Sequence, residues 1–112
     1  MDESRARELL RAERAEVATL LRQTEQAVRI DDEAPDSATD YGDEALPLTE
    51  GYEDEAVAVQ LRERLNAIDR ALARLEAGTY GRSVLSGKLI PDQRLEADPA
   101  AELTVEEARA SR

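Results

Sequence analysis

The sequence predicts a mainly α-helical fold: a long antiparallel helical hairpin, paired as a coiled coil, with a small knob at its C-terminal end. Three observations lead there. Two stretches of the 112-residue chain repeat their apolar residues at steps of three and four, the period of one helix face. A segment of turn residues separates them. The apolar content, 41%, is largely Ala, with three Tyr and neither Phe nor Trp. Side chains so small cannot fill a large globular core, but they can fill a seam between two helices.

The first helix is expected over residues 3–30. Leu9 and Leu10, Val17, Leu20 and Leu21, and Val28 recur with Arg and Glu between them, and neither Gly nor Pro interrupts. Glu3–Arg7 and Glu25–Arg29 stand four apart with the acid first, the orientation that favours a helix. Residues 31–48 break the pattern with Pro35, Gly42 and Pro47, which makes them the tip of the hairpin. A second helix is expected over 49–77. Val57, Leu61, Leu65, Ile68, Leu72 and Leu75 step by 4, 4, 3, 4 and 3, a heptad alternation from Leu61 onward. Gly78 ends it as the left-handed residue after the last turn. The hairpin thus occupies 1–78 and a smaller region 79–112. In that region 82–90 reads as a short β-hairpin turning at Ser86-Gly87. Thr104 and Glu107 have the spacing of a capping box that opens a terminal helix. Val84, Leu85, Leu89, Ile90, Leu95, Leu103 and Val105 are its candidate core.

Charge narrows the function. The net charge is −11, and it is confined to one place. Asp31, Asp32, Glu33, Asp36, Asp40, Asp43, Glu44, Glu50, Glu53, Asp54 and Glu55 crowd the tip, with no Lys or Arg between Arg29 and Arg62. Nucleic-acid affinity comes from cation–phosphate contacts, so a basic protein surface or a metal-rich site is the better partner for this segment. Its bland alternative is a solvated acidic loop. The basic set Arg62, Arg64, Arg70, Arg74, Arg82, Lys88 and Arg94 is read first as surface Arg interleaved with Glu, and second as a contact surface.

Other classes lose ground. There is no His and no Cys, which removes the commonest general base and the usual transition-metal ligands. The carboxylates lack the spacing of a calcium loop, and no phosphate-binding glycine loop accompanies them. An enzyme is not expected, nor a cofactor or bound metal. No run of about 18 apolar residues spans a membrane, and the N-terminus leads straight into charged helix rather than a signal peptide. The expected compartment is the cytoplasm and the expected state a monomer.

The run Ile68-Asp69-Arg70-Ala71-Leu72-Ala73-Arg74-Leu75-Glu76-Ala77-Gly78-Thr79-Tyr80-Gly81 resembles the end of the second coiled-coil helix in the DksA/TraR family, bacterial transcription factors that bind RNA polymerase. Gly87-Lys88-Leu89-Ile90-Pro91 and Arg94-Leu95-Glu96-Ala97-Asp98-Pro99 resemble the zinc-finger region that follows it there. The resemblance covers roughly 57–107. Where that family has Cys-x-x-Cys twice, this chain has Ser83 and Ser86, then Thr104 and Glu107. The resemblance therefore implies a zinc-finger-like knob at degenerate positions that are not expected to bind zinc.

At the tip, Asp40-Tyr41-Gly42-Asp43-Glu44-Ala45 is similar to the Asp-x-x-Asp-x-Ala pattern that family members present to the polymerase. The resemblance implies that Asp40, Asp43 and Ala45 are the contact residues. It implies a hairpin that enters the secondary channel of RNA polymerase and modulates initiation without reading a promoter sequence. Some members respond to the alarmone ppGpp, and that nucleotide at the complex is a further expectation of the resemblance. No long segment precedes the first helix to carry it over. The other reading is a coiled-coil adaptor or structural interaction protein that has lost the polymerase role.

Overall fold

The computed structural model describes residues 1–33 and 45–111, with helical backbone only for 28–33 and 45–53. Helix α1 covers Glu3–Glu33, α2 covers Ala45–Ala77, α3 covers Asp92–Ala97 and α4 covers Val105–Ala110. The two long helices pack together as a helical hairpin, and no strand forms among the described residues. Both long helices exceed their expected spans. Pro47 lies in the first turn of α2, where a residue without an N–H forfeits no helical hydrogen bond.

The chain divides into two units, Met1–Arg14 with Asn66–Arg112, and Ala15–Leu65. In the first, Ala6 and Leu10 of α1 and Ile68, Ala71 and Leu75 of α2 are buried, four residues apart on one helix and three or four apart on the other. Arg14 reaches Asp69 at 2.7 Å across this pairing. In the second unit Val17 and Ala58 are buried, while Leu21, Leu61 and Leu65 are half-buried.

Val57, expected in the seam, is 44% exposed, and Ala58 takes the inward place. The heptad explains the change. From Ala58 the steps to Leu61, Leu65, Ile68, Leu72 and Leu75 are 3, 4, 3, 4 and 3, so the alternation runs unbroken only if it begins at the Ala.

Helix α2 stops in a Schellman motif. Gly78 takes φ +77°, its amide donates to the Leu75 carbonyl at 3.3 Å, and the Thr79 amide donates to the Arg74 carbonyl at 2.9 Å. An L side chain at that φ is strained, so the glycine is required.

Beyond it, Ile90, Leu95 and Ala101 form a small core, with Met1 and Tyr80 packed against it. The expected β-hairpin is reduced to a single antiparallel bridge between Arg82 and Leu89. The expected core also changes: Val84, Leu85 and Leu89 are 55%, 70% and 69% exposed. Alanines 100 and 101 fill the interior instead. In the loop 83–88 two serine hydroxyls accept the backbone amides, while Val84 and Leu85 face outward.

Candidate functional site

Asp40 and Asp43 lie outside the described residues. Ala45 is the first residue of α2. The candidate contact set at the tip is therefore carried by sequence, while the described chain places the other named set, Ser83, Ser86, Thr104 and Glu107.

These four fall in two polar turns of the C-terminal region, which are joined by the Val84 amide donating to the Glu102 carbonyl. The Ser83 side chain is buried, and its Oγ accepts from the Leu85 amide at 3.1 Å and the Ser86 amide at 3.2 Å. The Ser86 Oγ accepts from the Lys88 amide at 3.2 Å. The Ser83 amide donates to the Lys88 carbonyl at 2.8 Å, and the Gly87 amide to the Ser83 carbonyl at 3.0 Å. These bonds wind 83–88 into a closed knuckle.

Facing it, Thr104 caps α4. Its Oγ1 accepts from the Glu107 amide at 3.2 Å, and its own amide donates to Glu107 Oε1 at 2.9 Å. Both halves of the capping box are present. The hydroxyls of Ser83 and Ser86 favour the ionised form of the Glu107 carboxylate. With the Ser83 hydroxyl foremost, then the Thr104 amide and the Ser86 hydroxyl, these donors hold its pKa down to about 2.

A second polar centre lies at Glu102. Arg70 grips its carboxylate with both Nε and Nη2, at 3.0 and 2.9 Å, and Arg74 Nη1 adds a bond at 3.3 Å. These contacts hold the Glu102 carboxyl below its ordinary pKa, the Arg70 bond contributing most. The Glu102 carbonyl accepts from the Val84 amide at 2.9 Å, which ties the knuckle to the same residue.

Most of the basic set is thus engaged within the chain. Arg62 faces Glu25 at 3.5 Å, Arg82 donates to the Gly87 carbonyl at 3.1 Å, and Arg94 donates to the Leu103 carbonyl at 2.8 Å. Lys88 is exposed.

Sequence reasoning passed over Glu102, and it did not foresee the hydrogen bonds that Arg94 and Tyr80 make within the C-terminal region. Tyr80 donates its hydroxyl to the Pro99 carbonyl at 2.7 Å, and burial pushes its pKa up to about 12. No periodicity marks these residues. A weak signal existed in Tyr80 alone, the sole aromatic outside the acidic segment, since a buried Tyr seeks an acceptor.

Among solved structures, the chain matches "Structure of transcription factor DksA2 from Pseudomonas aeruginosa" with a TM-score of 0.83 and 25% identity, over 97% of this chain and 81% of that one. The fold is DksA/TraR-like. Two relatives from Bacillus subtilis (strain 168) agree with this chain over part of its length. The uncharacterized protein YteA is 47% identical over 60 residues, 54% of this chain and 25% of YteA. General stress protein 16O is 41% identical over 64 residues, 57% of this chain and 39% of that protein. The matched parts are thus well under two thirds of either relative. No family model matches.

A DksA/TraR-like knob raises the question of zinc, and the donor set answers it. Structural zinc is held by thiolate and imidazole. Here three of the four side chains are neutral hydroxyls, all three already accepting backbone amides. These residues do not fit a structural zinc ion. Among the described residues no group of three or more His, Cys, Asp or Glu could hold a metal ion. No helix there is long and apolar enough to cross a membrane.

Proposed function

We propose that this protein is a regulator of transcription that acts by binding RNA polymerase. The hairpin enters the secondary channel, and the acidic tip, with Asp40, Asp43 and Ala45 as its contact residues, modulates initiation near the catalytic magnesium. The observation that carries this reading is the likeness over nearly the whole chain to a transcription factor, at a TM-score of 0.83. The charge pattern supports it. Eleven carboxylates with no intervening cation suit a contact with basic protein surface and bound divalent metal, and repel nucleic-acid backbone.

On this reading the protein is not an enzyme, works as a monomer in the cytoplasm and reads no promoter sequence. Any response to ppGpp belongs to the complex.

The test is binding of the purified protein to bacterial RNA polymerase core at low and moderate salt, with a Gre factor as competitor. Saturable binding displaced by the competitor is expected. No binding at micromolar concentration overturns the proposal and leaves a coiled-coil adaptor as the reading. Asp40→Asn with Asp43→Asn is expected to abolish the effect on transcription from responsive promoters and to preserve most of the binding. Normal regulation by that double variant would refute the tip mechanism while leaving the channel in place.

A further inference from the structure

Glu102 lies in the short segment between α3 and α4 and is held from two sides. Its carboxylate is taken by α2: Arg70 reaches it through Nε and Nη2 at 3.0 and 2.9 Å, and Arg74 through Nη1 at 3.3 Å. Its backbone carbonyl accepts the Val84 amide of the knuckle at 2.9 Å. One residue thus stands between the last turns of a long helix and the loop that follows it. The two arginines differ. The Arg70 side chain is 54% exposed and that of Arg74 only 14%. Arg74 Nε and Nη2 are buried, with no hydrogen-bond partner among the described residues. A guanidinium does not shed its proton in a protein, so Arg74 carries its charge in the interior, bonded to the Glu102 carboxylate.

We infer that Glu102 is a keystone, through which the buried charge of Arg74 holds the knuckle at 83–88 against the end of α2. The fork of Arg70 sets the direction of the carboxylate with two parallel bonds, and Arg74 makes the contact obligatory. A buried cation that loses its counter-charge is strongly destabilising, whereas replacing both members of the pair by uncharged groups costs little. The link therefore acts chiefly through the penalty for breaking it. Because carboxylate and carbonyl belong to one residue, a segment that leaves Arg74 also leaves Val84. The apolar side chains of the knuckle contribute little to this placement, since Val84, Leu85 and Leu89 face outward. Tyr80 adds a neutral tie to the same segment through the Pro99 carbonyl at 2.7 Å, but no charge depends on it.

The keystone is independent of the polymerase reading and is tested on the full-length chain alone. Amide exchange is followed by NMR for the wild type, Glu102→Gln, Arg74→Met and the double variant, with the Val84 amide as the readout because it bonds to Glu102 itself. Glu102→Gln keeps the shape and removes the charge. It is expected to lower protection of Val84 by about tenfold or more, the scale of a lost hydrogen bond to a charged group. Arg74→Met is expected to lose less, because the carboxylate it leaves behind is 27% exposed and keeps Arg70. The double variant buries no charge and is expected to protect Val84 better than Glu102→Gln alone. Protection of the α2 amides between Ala58 and Leu75 is expected to stay, which shows that the variants remain folded. If Glu102→Gln unfolds the whole chain, the melting temperatures of the same four proteins decide by the same order. A double variant no better than Glu102→Gln would mean that the buried charge is not what holds the knuckle, and would overturn the inference. So would wild-type protection of Val84 in Glu102→Gln.

Discussion

The helical seam and the knuckle at 83–88 use their apolar residues in opposite ways. In the seam, Leu10, Ile68, Ala71 and Leu75 are buried, and the polar residues lie outside. In the knuckle the hydroxyl of Ser83 is buried and Val84, Leu85 and Leu89 are exposed. The difference follows from geometry. A helix satisfies its own backbone and needs only a neighbour for its apolar stripe. A six-residue loop cannot satisfy its amides alone, so polar side chains must be drawn inside to accept them. Hydrophobic burial thus holds one region and directed hydrogen bonds hold the other, and substitutions should separate the two.

The largest effect is expected in the seam. Leu10 is fully buried, and Leu10→Ala should cost about 2–5 kcal/mol in denaturant unfolding followed by circular dichroism. Val17→Ala should cost less, since fewer atoms are removed from a site that keeps some exposure. Equal losses at the two positions would show that burial does not rank the seam.

The polar turns of the C-terminal region should reveal themselves through pH. Glu107 has its carboxyl held at about 2, below the ordinary 4.5. A depressed folded-state pKa contributes stability that is complete above the unfolded value and disappears as pH falls through the folded one. The capping box at Thr104 should therefore persist at neutral pH, weaken below about 4.5 and be lost toward about 2. The carboxyl carbon shift of Glu107, titrated by NMR, gives the midpoint directly. A midpoint at the ordinary carboxylate value would mean that the hydrogen bonds around Glu107 do not favour its ionised form, and would remove the distinction between the regions.

How far the sequence discloses each region follows the same division. The helices, their pairing, the stop at Gly78 and the capping box at Thr104 are local or periodic, and each has a spacing that can be read. The Val57 error shows the limit of such reading: where a branched residue precedes an Ala, hydropathy points to the Val and only the full heptad points to Ala58. The interior of the knob was harder. Nothing periodic links Val84 to Glu102, or Arg70 to Glu102, because these contacts join distant segments. Val84, Leu85 and Leu89 look like core by composition, and only the amides captured by Ser83 and Ser86 show why they are not. The tip residues Asp40 and Asp43 remain assigned by motif.

A smaller effect tests the boundary between the regions. Gly78 takes φ +77° with no atom near the position of an added Cβ, so Gly78→Ala introduces backbone strain without a clash. A loss of about 1 kcal/mol is expected in thermal unfolding. A loss near zero would mean that the Schellman turn relaxes freely and does not fix the exit from α2.

The smallest effect is expected from the residues that look most like core. Leu85 and Leu89 are 70% and 69% exposed, and no cavity opens when an outward side chain is shortened. Leu85→Ser and Leu89→Ser should each change stability by less than about 0.5 kcal/mol, against several times that at Leu10. The pair also sharpens the comparison, because a loop closed by hydrogen bonds keeps its shape when its apolar surface is replaced. Unfolding and amide exchange at 83–88 should both remain as in the wild type. A loss above about 1 kcal/mol at either leucine would show that burial also supports the knuckle, and the contrast between a region held by packing and a region held by directed bonds would fail.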